Sequence, residues 1–208
     1  MRQKSAMLGT AAAAAVSRAS FAAVLMPCAA GGLSTYLSGS NRTCTVLDKT
    51  ISGVSFSNSA SLPASDWFVI PVLTPNDPGL TFIFNEPVQT LTGSISYTVT
   101  APSSDPMTDA SLALFGTAPP GSFADLETLS NGKSLSASDS TPNPPDVTFA
   151  PTTSLTVTDA FSQTSPGGLA RLTNQFSETP AAVPEPSSLA LLSVGLSALG
   201  LVRRRKRS

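Results

Sequence analysis

Residues 93–101 have the sequence GSISYTVTA, in which apolar and hydroxyl side chains alternate. Ile95, Tyr97 and Val99 occupy every second position, and serine or threonine lies between them. Because successive side chains of a β-strand point to opposite faces, this pattern predicts a strand with one face on a core and the other in water. The segment therefore favours an all-β fold built around it.

Shorter segments elsewhere in residues 31–182 show the same period of two. SLTVTD places Leu155 and Val157 on one face, and DVTFA does the same with Val147 and Phe149. These patterns together predict an antiparallel β-sandwich of about nine short strands. The predicted strands cover residues 45–57, 67–73, 80–84, 91–100, 110–115, 124–129, 146–149, 154–158 and 169–177.

Turn residues separate the predicted strands. TPNDPG at 74–79 and TPNPP at 141–145 are not expected to continue a central strand, because proline cannot donate a ladder hydrogen bond. Asn-Gly at 131–132 favours a tight hairpin. The continuous apolar run WFVI at 67–70 predicts a strand buried on both faces. Residues 31–41 show neither pattern and are expected to be flexible or weakly helical.

The start of the chain predicts a signal peptide over residues 1–30. Arg2 and Lys4 precede a charge-free, mostly apolar segment at 5–16, which is expected to form the signal helix. Cleavage is expected after Ala19, or near the end of this region at Ala29 or Ala30. Export is the expected consequence.

The two cysteines of the chain bear on this boundary. Removing residues 1–30 would take Cys28 away and leave Cys44 alone, so no internal disulfide is expected unless cleavage precedes Cys28. A buried Cys44 that acts as a small hydrophobe and a reactive or intermolecular thiol are the alternatives. The segment LMPC also resembles a lipoprotein box with Cys28 as lipid acceptor, although Pro27 departs from that pattern.

The last 26 residues combine three features in a fixed order. Val183-Pro184-Glu185-Pro186 is a stiff, extended peptide, since each proline restricts its own φ and the residue before it. Residues 187–202 are uncharged and would rise about 24 Å as an α-helix, slightly less than the ~30 Å hydrocarbon core of a bilayer. A basic cluster follows, which is expected to stay in the cytoplasm and stop membrane transfer. It consists of Arg203, Arg204, Arg205, Lys206 and Arg207.

This order of Pro-Glu-Pro, short apolar helix and basic cluster resembles the PEP-CTERM sorting signal of exported bacterial proteins. The matching tail is also labelled after ice-binding proteins that carry it. In that family a membrane protease-transpeptidase, exosortase, is thought to cut at or near the motif, much as lipid-anchor signals discard their hydrophobic tails. The resemblance implies that residues 183–186 are substrate residues rather than catalytic ones. It also implies an inner-membrane anchor before processing and a cell-surface or extracellular location afterwards.

Three parts of the chain are therefore expected. Residues 1–30 form the signal peptide, and residues 31–182 form the exported β-sandwich with a short tether. Residues 183–208 form the sorting signal with a C-terminal transmembrane helix. The expected partners are the export machinery, exosortase and the membrane.

The exported body is acidic, although the whole chain has a net charge of −1. Only four of the twelve basic residues lie within residues 31–180, against twelve acidic ones, so the body carries about −8. Such a surface lacks the basic patch that a phosphate backbone requires. We therefore expect no nucleic-acid partner.

The sequence offers few groups for catalysis. Histidine is absent from all 208 residues, which removes the commonest general base and the usual serine and cysteine triads. Glu86, Glu127 and several aspartates could form a carboxylate pair, but nothing in the sequence joins two of them in one cleft. No catalytic, cofactor-binding or metal-binding residue is therefore predicted.

Structural calcium is the one cofactor considered. Asp105, Asp109, Asp139 and Asp146 lie in loop-like segments, and extracellular sandwiches can hold Ca²⁺ through loop carboxylates. None of these residues matches a known calcium loop, so solvated loop acids are the preferred interpretation.

Two classes of function remain. The first is a non-enzymatic surface or matrix protein whose Ser/Thr-rich sheet faces contact extracellular polysaccharide, as the sorting-signal resemblance implies. The second is a binding module for a carbohydrate or, more remotely, ice. A flat aromatic or threonine platform on the folded body would favour the second class. A carboxylate-pair hydrolase is a minor alternative.

Overall fold

The computed structural model describes residues 25–59, 62–84, 90–116, 122–141, 143–164 and 170–178. In these ranges the chain forms two antiparallel β-sheets, a short helix α1 at Leu33–Leu37 and a 3₁₀ turn at Ala64–Asp66. Neither helical segment is long and apolar enough to cross a membrane. The expected signal helix at 5–16 and the expected transmembrane helix at 187–202 lie outside the described residues.

Each sheet has six strands in the described part of the chain, which confirms the all-β antiparallel sandwich with twelve strands instead of about nine. Sheet 1 contains, in spatial order, β2 (Thr43–Val46), β3 (Lys49–Asn58), β6 (Leu91–Thr100), β11 (Ser154–Gln163), β8 (Phe123–Leu129) and β9 (Ser134–Ser138). Sheet 2 contains β1 (Gly31–Gly32), β4 (Trp67–Val72), β5 (Gly79–Phe84), β12 (Ala170–Gln175), β7 (Met107–Gly116) and β10 (Asp146–Thr152).

Strand β6, which contains the alternating segment at 93–101, is central in sheet 1. Ile95, Tyr97 and Val99 of β6 are buried, as predicted. β11 pairs with β6 in an unbroken antiparallel register and buries Leu155 and Val157 beside them. The period of two therefore fixes which face of this sheet meets the core.

Aromatic side chains from both sheets meet in the core. The ring centroid of Trp67 in sheet 2 lies 4.4 Å from that of Phe84 in the same sheet and 5.0 Å from that of Phe161 in sheet 1. Phe56 of sheet 1 approaches the indole edge-on at 4.9 Å. Such ring pairs add about 0.5–1.5 kcal/mol each beyond burial, so this cluster helps to hold the two sheets together.

The strand predictions differ from the structure at one predicted strand that is divided in two and at one strand that was not predicted. The segment 45–57 is not one strand, because Leu47 has a φ of 55° and the chain turns there between β2 and β3. β9 was missed because its Ser-rich sequence contains only Leu135 and Ala137 as apolar residues. The Asn-Gly hairpin before β9 is confirmed, since Gly132 has a φ of 84° in the turn from β8.

One further local prediction is wrong, and another is confirmed in part. The run at 67–70 is buried on one face only, since Phe68 is 45% exposed and Ile70 is 36% exposed. The weakly helical segment expected at residues 31–41 contains the helix α1, but it also contains an edge strand, and Leu33 and Tyr36 of the helix are buried. Contacts distant in sequence decide both cases, and the local pattern does not contain them.

The prediction that Cys44 lacks a partner is also wrong, because Cys28 and Cys44 form a disulfide. The backbone N–H of Cys28 donates to the carbonyl of Thr45 at 2.7 Å, and that of Thr45 donates to Met26 at 2.9 Å. Cys28 therefore belongs to the folded body. Its sulfur is bonded to Cys44, so it is not the lipid acceptor of a lipoprotein.

Candidate functional site

The sorting residues predicted at 183–186 and the basic cluster at 203–207 lie outside the described residues. The body ends beside them at Glu178, whose carboxylate forms an ion pair with Lys49. Lys49 is only 1% exposed, and its Nζ also contacts Oδ2 of Asp48 at 2.8 Å. This ion pair ties the end of the body to the start of β3.

Hydroxyl side chains cover most of the outer face of sheet 1. One row runs in register across five neighbouring strands, and its members are Ser55, Ser96, Thr158, Thr128 and Ser134. The hydroxyls of Ser96 and Thr158 lie 2.9 Å apart. We call this surface the hydroxyl face. It is a mixed serine and threonine array, interrupted by Leu126 and Ala160, rather than a regular threonine array.

The outer face of sheet 2 has a different character. Phe68, Ile83, Arg171 and Phe115 lie in register on the four neighbouring strands β4, β5, β12 and β7. Phe68 is 45% exposed, Phe115 is 60% exposed and Arg171 is exposed as well. We call these four residues the apolar stripe. Large exposed apolar side chains grouped on one surface commonly mark an interaction site.

Three carboxyl groups lie inside the sandwich on the inner face of sheet 1. Asp159 and Glu127 are opposite each other on β11 and β8, and Asp125 is two residues from Glu127. Asn174 of sheet 2 donates its Nδ2 to Asp159 Oδ2 at 2.8 Å and to the Tyr97 hydroxyl at 2.9 Å. Among the described residues, no Lys or Arg forms an ion pair with this acidic cluster.

Burial raises the pKa values of all three acids. Burial raises the pKa of Asp125 to about 7, and burial with the nearby Asp125 raises that of Glu127 to about 8. Burial, reinforced by the two neighbouring carboxyls, raises the pKa of Asp159 well above its ordinary value. Glu127 and Asp159 are 0% exposed and Asp125 is 3% exposed, so the described residues enclose the cluster between the two sheets.

The predicted acidic candidates are not brought together. Asp105 lies in a turn before β7, Asp109 lies in β7, Asp139 follows β9 and Asp146 begins β10. In the described part of the chain, no three His, Cys, Asp or Glu side chains are arranged to hold a metal ion. Glu86 lies outside the described residues, and Glu127 lies in the acidic cluster.

Sequence reasoning missed the acidic cluster, although the signal was present. In FADLETL, Asp125 and Glu127 occupy the same alternate positions as Phe123 and Leu129. Asp159 likewise follows the inward series of β11. The period of two therefore places these acids on the core face, although charged residues are rarely fully buried.

Comparison with known proteins bears on the tail. A family model of the PEP-CTERM protein-sorting motif matches residues 182–206. No curated protein matches the chain.

The fold has similarities among solved structures. The solved structure of TmCBM61 in complex with β-1,4-galactotriose is similar with a TM-score of 0.38 and 12% identity, over 62% of this chain and 88% of that one. The family 11 carbohydrate-binding module of a Clostridium thermocellum cellulosomal cellulase is similar with a TM-score of 0.26 and 12% identity, over 65% and 90%.

The motif match coincides with the tail that the sequence singled out, from Val183 through the arginine cluster. A motif of this kind indicates an exported substrate of exosortase. Residues 182–206 therefore match the PEP-CTERM protein-sorting motif, which is consistent with a PEP-CTERM sorting-signal protein.

Proposed function

We propose that this chain is an exported, non-enzymatic protein of the cell surface or extracellular matrix, sorted by exosortase and in contact with extracellular polysaccharide. The observation that carries the proposal is the sorting motif at 182–206, which begins four residues after the described body ends at Glu178. The disulfide between Cys28 and Cys44 supports export, because disulfides persist mainly in oxidising compartments.

The hydroxyl face supports contact with polysaccharide. Serine and threonine hydroxyls both donate and accept hydrogen bonds, as sugar hydroxyls do. The row from Ser55 to Ser134 crosses five strands and therefore extends about 19 Å at the usual strand spacing. Each exposed hydrogen bond contributes little, so this face would give broad and weak contact with a hydrated polymer.

The enclosed acids support a non-enzymatic role. A glycosidase needs two carboxyls that flank a bound sugar in an open cleft. Asp125, Glu127 and Asp159 instead lie between the two sheets, with Glu127 and Asp159 fully buried. The three acids that the fold brings together are thus unavailable for hydrolysis of a polymer.

We propose that the leader ends before Met26, and the folded contacts of Cys28 support this boundary. Cleavage at Ala29 or Ala30 would remove the disulfide and the backbone bonds between Met26 and Thr45. It would also remove or disturb the carbonyl of Ala29, which accepts hydrogen bonds from Tyr36 and Asn41. Cleavage after Ala19 keeps all of these contacts.

The ion pair of Glu178 also limits where exosortase can work. Pro184 comes six positions after Glu178, so the two Cα atoms can be at most about 21 Å apart. The proposed cleavage therefore takes place close to the folded body. The body, held at Glu178 by Lys49, would form part of the surface that exosortase meets.

Intact mass of the protein recovered from medium, cell surface and membrane fractions tests this proposal. We expect a mature chain that begins between Ser20 and Met26 and ends near residues 183–186, with or without an added group. Replacing Pro184, Glu185 and Pro186 with alanine should leave the unprocessed chain in the inner membrane.

Ser187→Ala with Ser188→Ala provides the matched control, since it changes the neighbouring residues and keeps the motif. Normal processing of the triple alanine variant would contradict the proposed sorting. A mature chain that begins after Ala29 would contradict the proposed leader boundary and leave the sorting proposal intact.

A further inference from the structure

The apolar stripe places two exposed phenylalanines at the ends of one straight row. Its four residues occupy four neighbouring strands, so at the usual strand spacing the two ends are about 14 Å apart. Phe68 stands at one end and Phe115 at the other, with Ile83 and Arg171 between them. Ile70 lies beside Phe68 on the same face of β4 and is 36% exposed, and the elongated surface suits a linear ligand.

The surroundings of the stripe add polar groups and a recess. In the adjacent row, the hydroxyls of Thr81 and Thr173 lie 2.9 Å apart and form a buried floor. Phe115 also lines a shallow pocket with Ala137, Thr141 and Pro144 at the edge of sheet 2. A chain bound along the stripe therefore has apolar contacts at both ends of the row.

Arg171 gives the stripe a charge opposite to that of the body. It is one of four basic residues within 31–180, where twelve residues are acidic. Its guanidinium is exposed and forms no ion pair with any described residue, whereas Lys49 is paired and buried. An exposed guanidinium is well suited to binding a carboxylate through two parallel hydrogen bonds.

The size of the stripe argues against a stable protein partner. Such interfaces bury roughly 800 Å² on each side, much more than one row of four side chains can provide. A sugar chain carries apolar ring faces and polar edges on a narrow ribbon. Aromatic rings can cover the former, and a guanidinium can bind a carboxylate on the latter.

We propose that the apolar stripe binds an acidic polysaccharide, with sugar rings on Phe68 and Phe115 and a uronate carboxylate on Arg171. The inference rests on the proposed surface function and names its ligand class. It assigns the specific contact to sheet 2, whereas the hydroxyl face of sheet 1 provides only broad contact.

The test uses the full-length chain in mild detergent and measures binding to polygalacturonate and, in parallel, to uncharged dextran. We expect binding to polygalacturonate and a loss of about tenfold in affinity for Arg171→Gln, as befits one charge-assisted contact. Arg171→Lys should retain part of the affinity. Phe68→Ser with Phe115→Ser should reduce binding by at least about tenfold.

Leu47→Ser is the matched control, because Leu47 is 50% exposed in the turn between β2 and β3 and belongs to neither the apolar stripe nor the hydroxyl face. We expect its affinity to be unchanged and the circular dichroism of all variants to match that of the wild type. Equal binding to dextran, or an equal loss in Leu47→Ser, would overturn the proposal. So would a dimer that Phe68→Ser dissociates, which would assign the stripe to a second copy. Because processing is measured separately by intact mass, failure here leaves the sorting proposal standing.

Discussion

The two sheets place polar and apolar side chains in opposite ways. Both sheets enclose aromatic rings, but sheet 1 also encloses Asp125, Glu127 and Asp159 and exposes mainly hydroxyls, whereas sheet 2 exposes Phe68 and Phe115. Burying acids and exposing phenylalanines each lower the stability of the folded state, so folding alone explains neither feature. The contrast identifies where each sheet departs from what packing requires. In sheet 1 the unfavourable groups are buried acids, whose protonation depends on pH. In sheet 2 they are exposed phenylalanines, to which we assign a ligand.

The largest expected effect is the pH dependence that the acids of sheet 1 impose. Each acid has a higher pKa in the folded than in the unfolded state, so the folded state binds more protons. Their contribution to stability is complete below about pH 4 and is lost as pH rises through about 7 and 8. We expect the free energy of unfolding of the processed protein, measured with urea, to fall by several kcal/mol over this range.

Asp159→Asn should flatten this profile, because the amide keeps the shape of the carboxyl and cannot ionise. Asp146→Asn is the control, since Asp146 is exposed at the start of β10. A stability that is constant from pH 5 to pH 8.5, or a profile flattened equally by Asp146→Asn, would show that the acidic cluster does not govern stability.

A smaller effect is expected from the buried threonine pair in the row next to the apolar stripe of sheet 2. The hydroxyls of Thr81 and Thr173 are buried and lie 2.9 Å apart. Thr173→Val should lower the free energy of unfolding by about 1–2 kcal/mol, because it removes the hydrogen bond and deprives the Thr81 hydroxyl of this partner. Urea unfolding at a fixed pH measures the change.

The double variant Thr81→Val with Thr173→Val should be less destabilised than the sum of the two single variants. Replacing both partners removes the unpaired buried hydroxyl that each single change leaves behind. Strict additivity would mean that the two hydroxyls do not depend on each other.

Most of the fold could be predicted from local alternation. The strands that carry Ile95, Tyr97, Val99, Leu155 and Val157 follow the period of two, and the sandwich class follows from their number and spacing. Sheet order and partner choice could not be predicted, because β12 joins β5 and β7 through contacts distant in sequence. The disulfide was missed for a different reason, since the leader boundary decides whether Cys28 remains in the protein.

The candidate sites also differ in how much of each could be predicted from the sequence. The sorting motif is a continuous peptide, so its four residues are readable in order at 183–186. The apolar stripe combines residues from four strands, and the acidic cluster combines acids from two strands with a hydrogen bond from Asn174 on a third. Phe68 and Phe115 are 47 positions apart, and only the register of sheet 2 places them in one row. No spacing rule within a single strand contains that information.

The smallest effect is expected on the hydroxyl face, where Thr98 and Thr156 form the exposed counterpart of the buried threonine pair. Their hydroxyls lie 3.4 Å apart in contact with solvent. Thr156→Val should change the free energy of unfolding by less than about 0.5 kcal/mol, because water replaces the lost partner. The same urea measurement applies to Thr173→Val, so the two changes differ in burial and not in chemistry. A loss at Thr156 as large as that at Thr173 would mean that the hydroxyl face is covered. Broad contact with polysaccharide through that face would then have to be abandoned, whereas the ligand proposed for the apolar stripe would be unaffected.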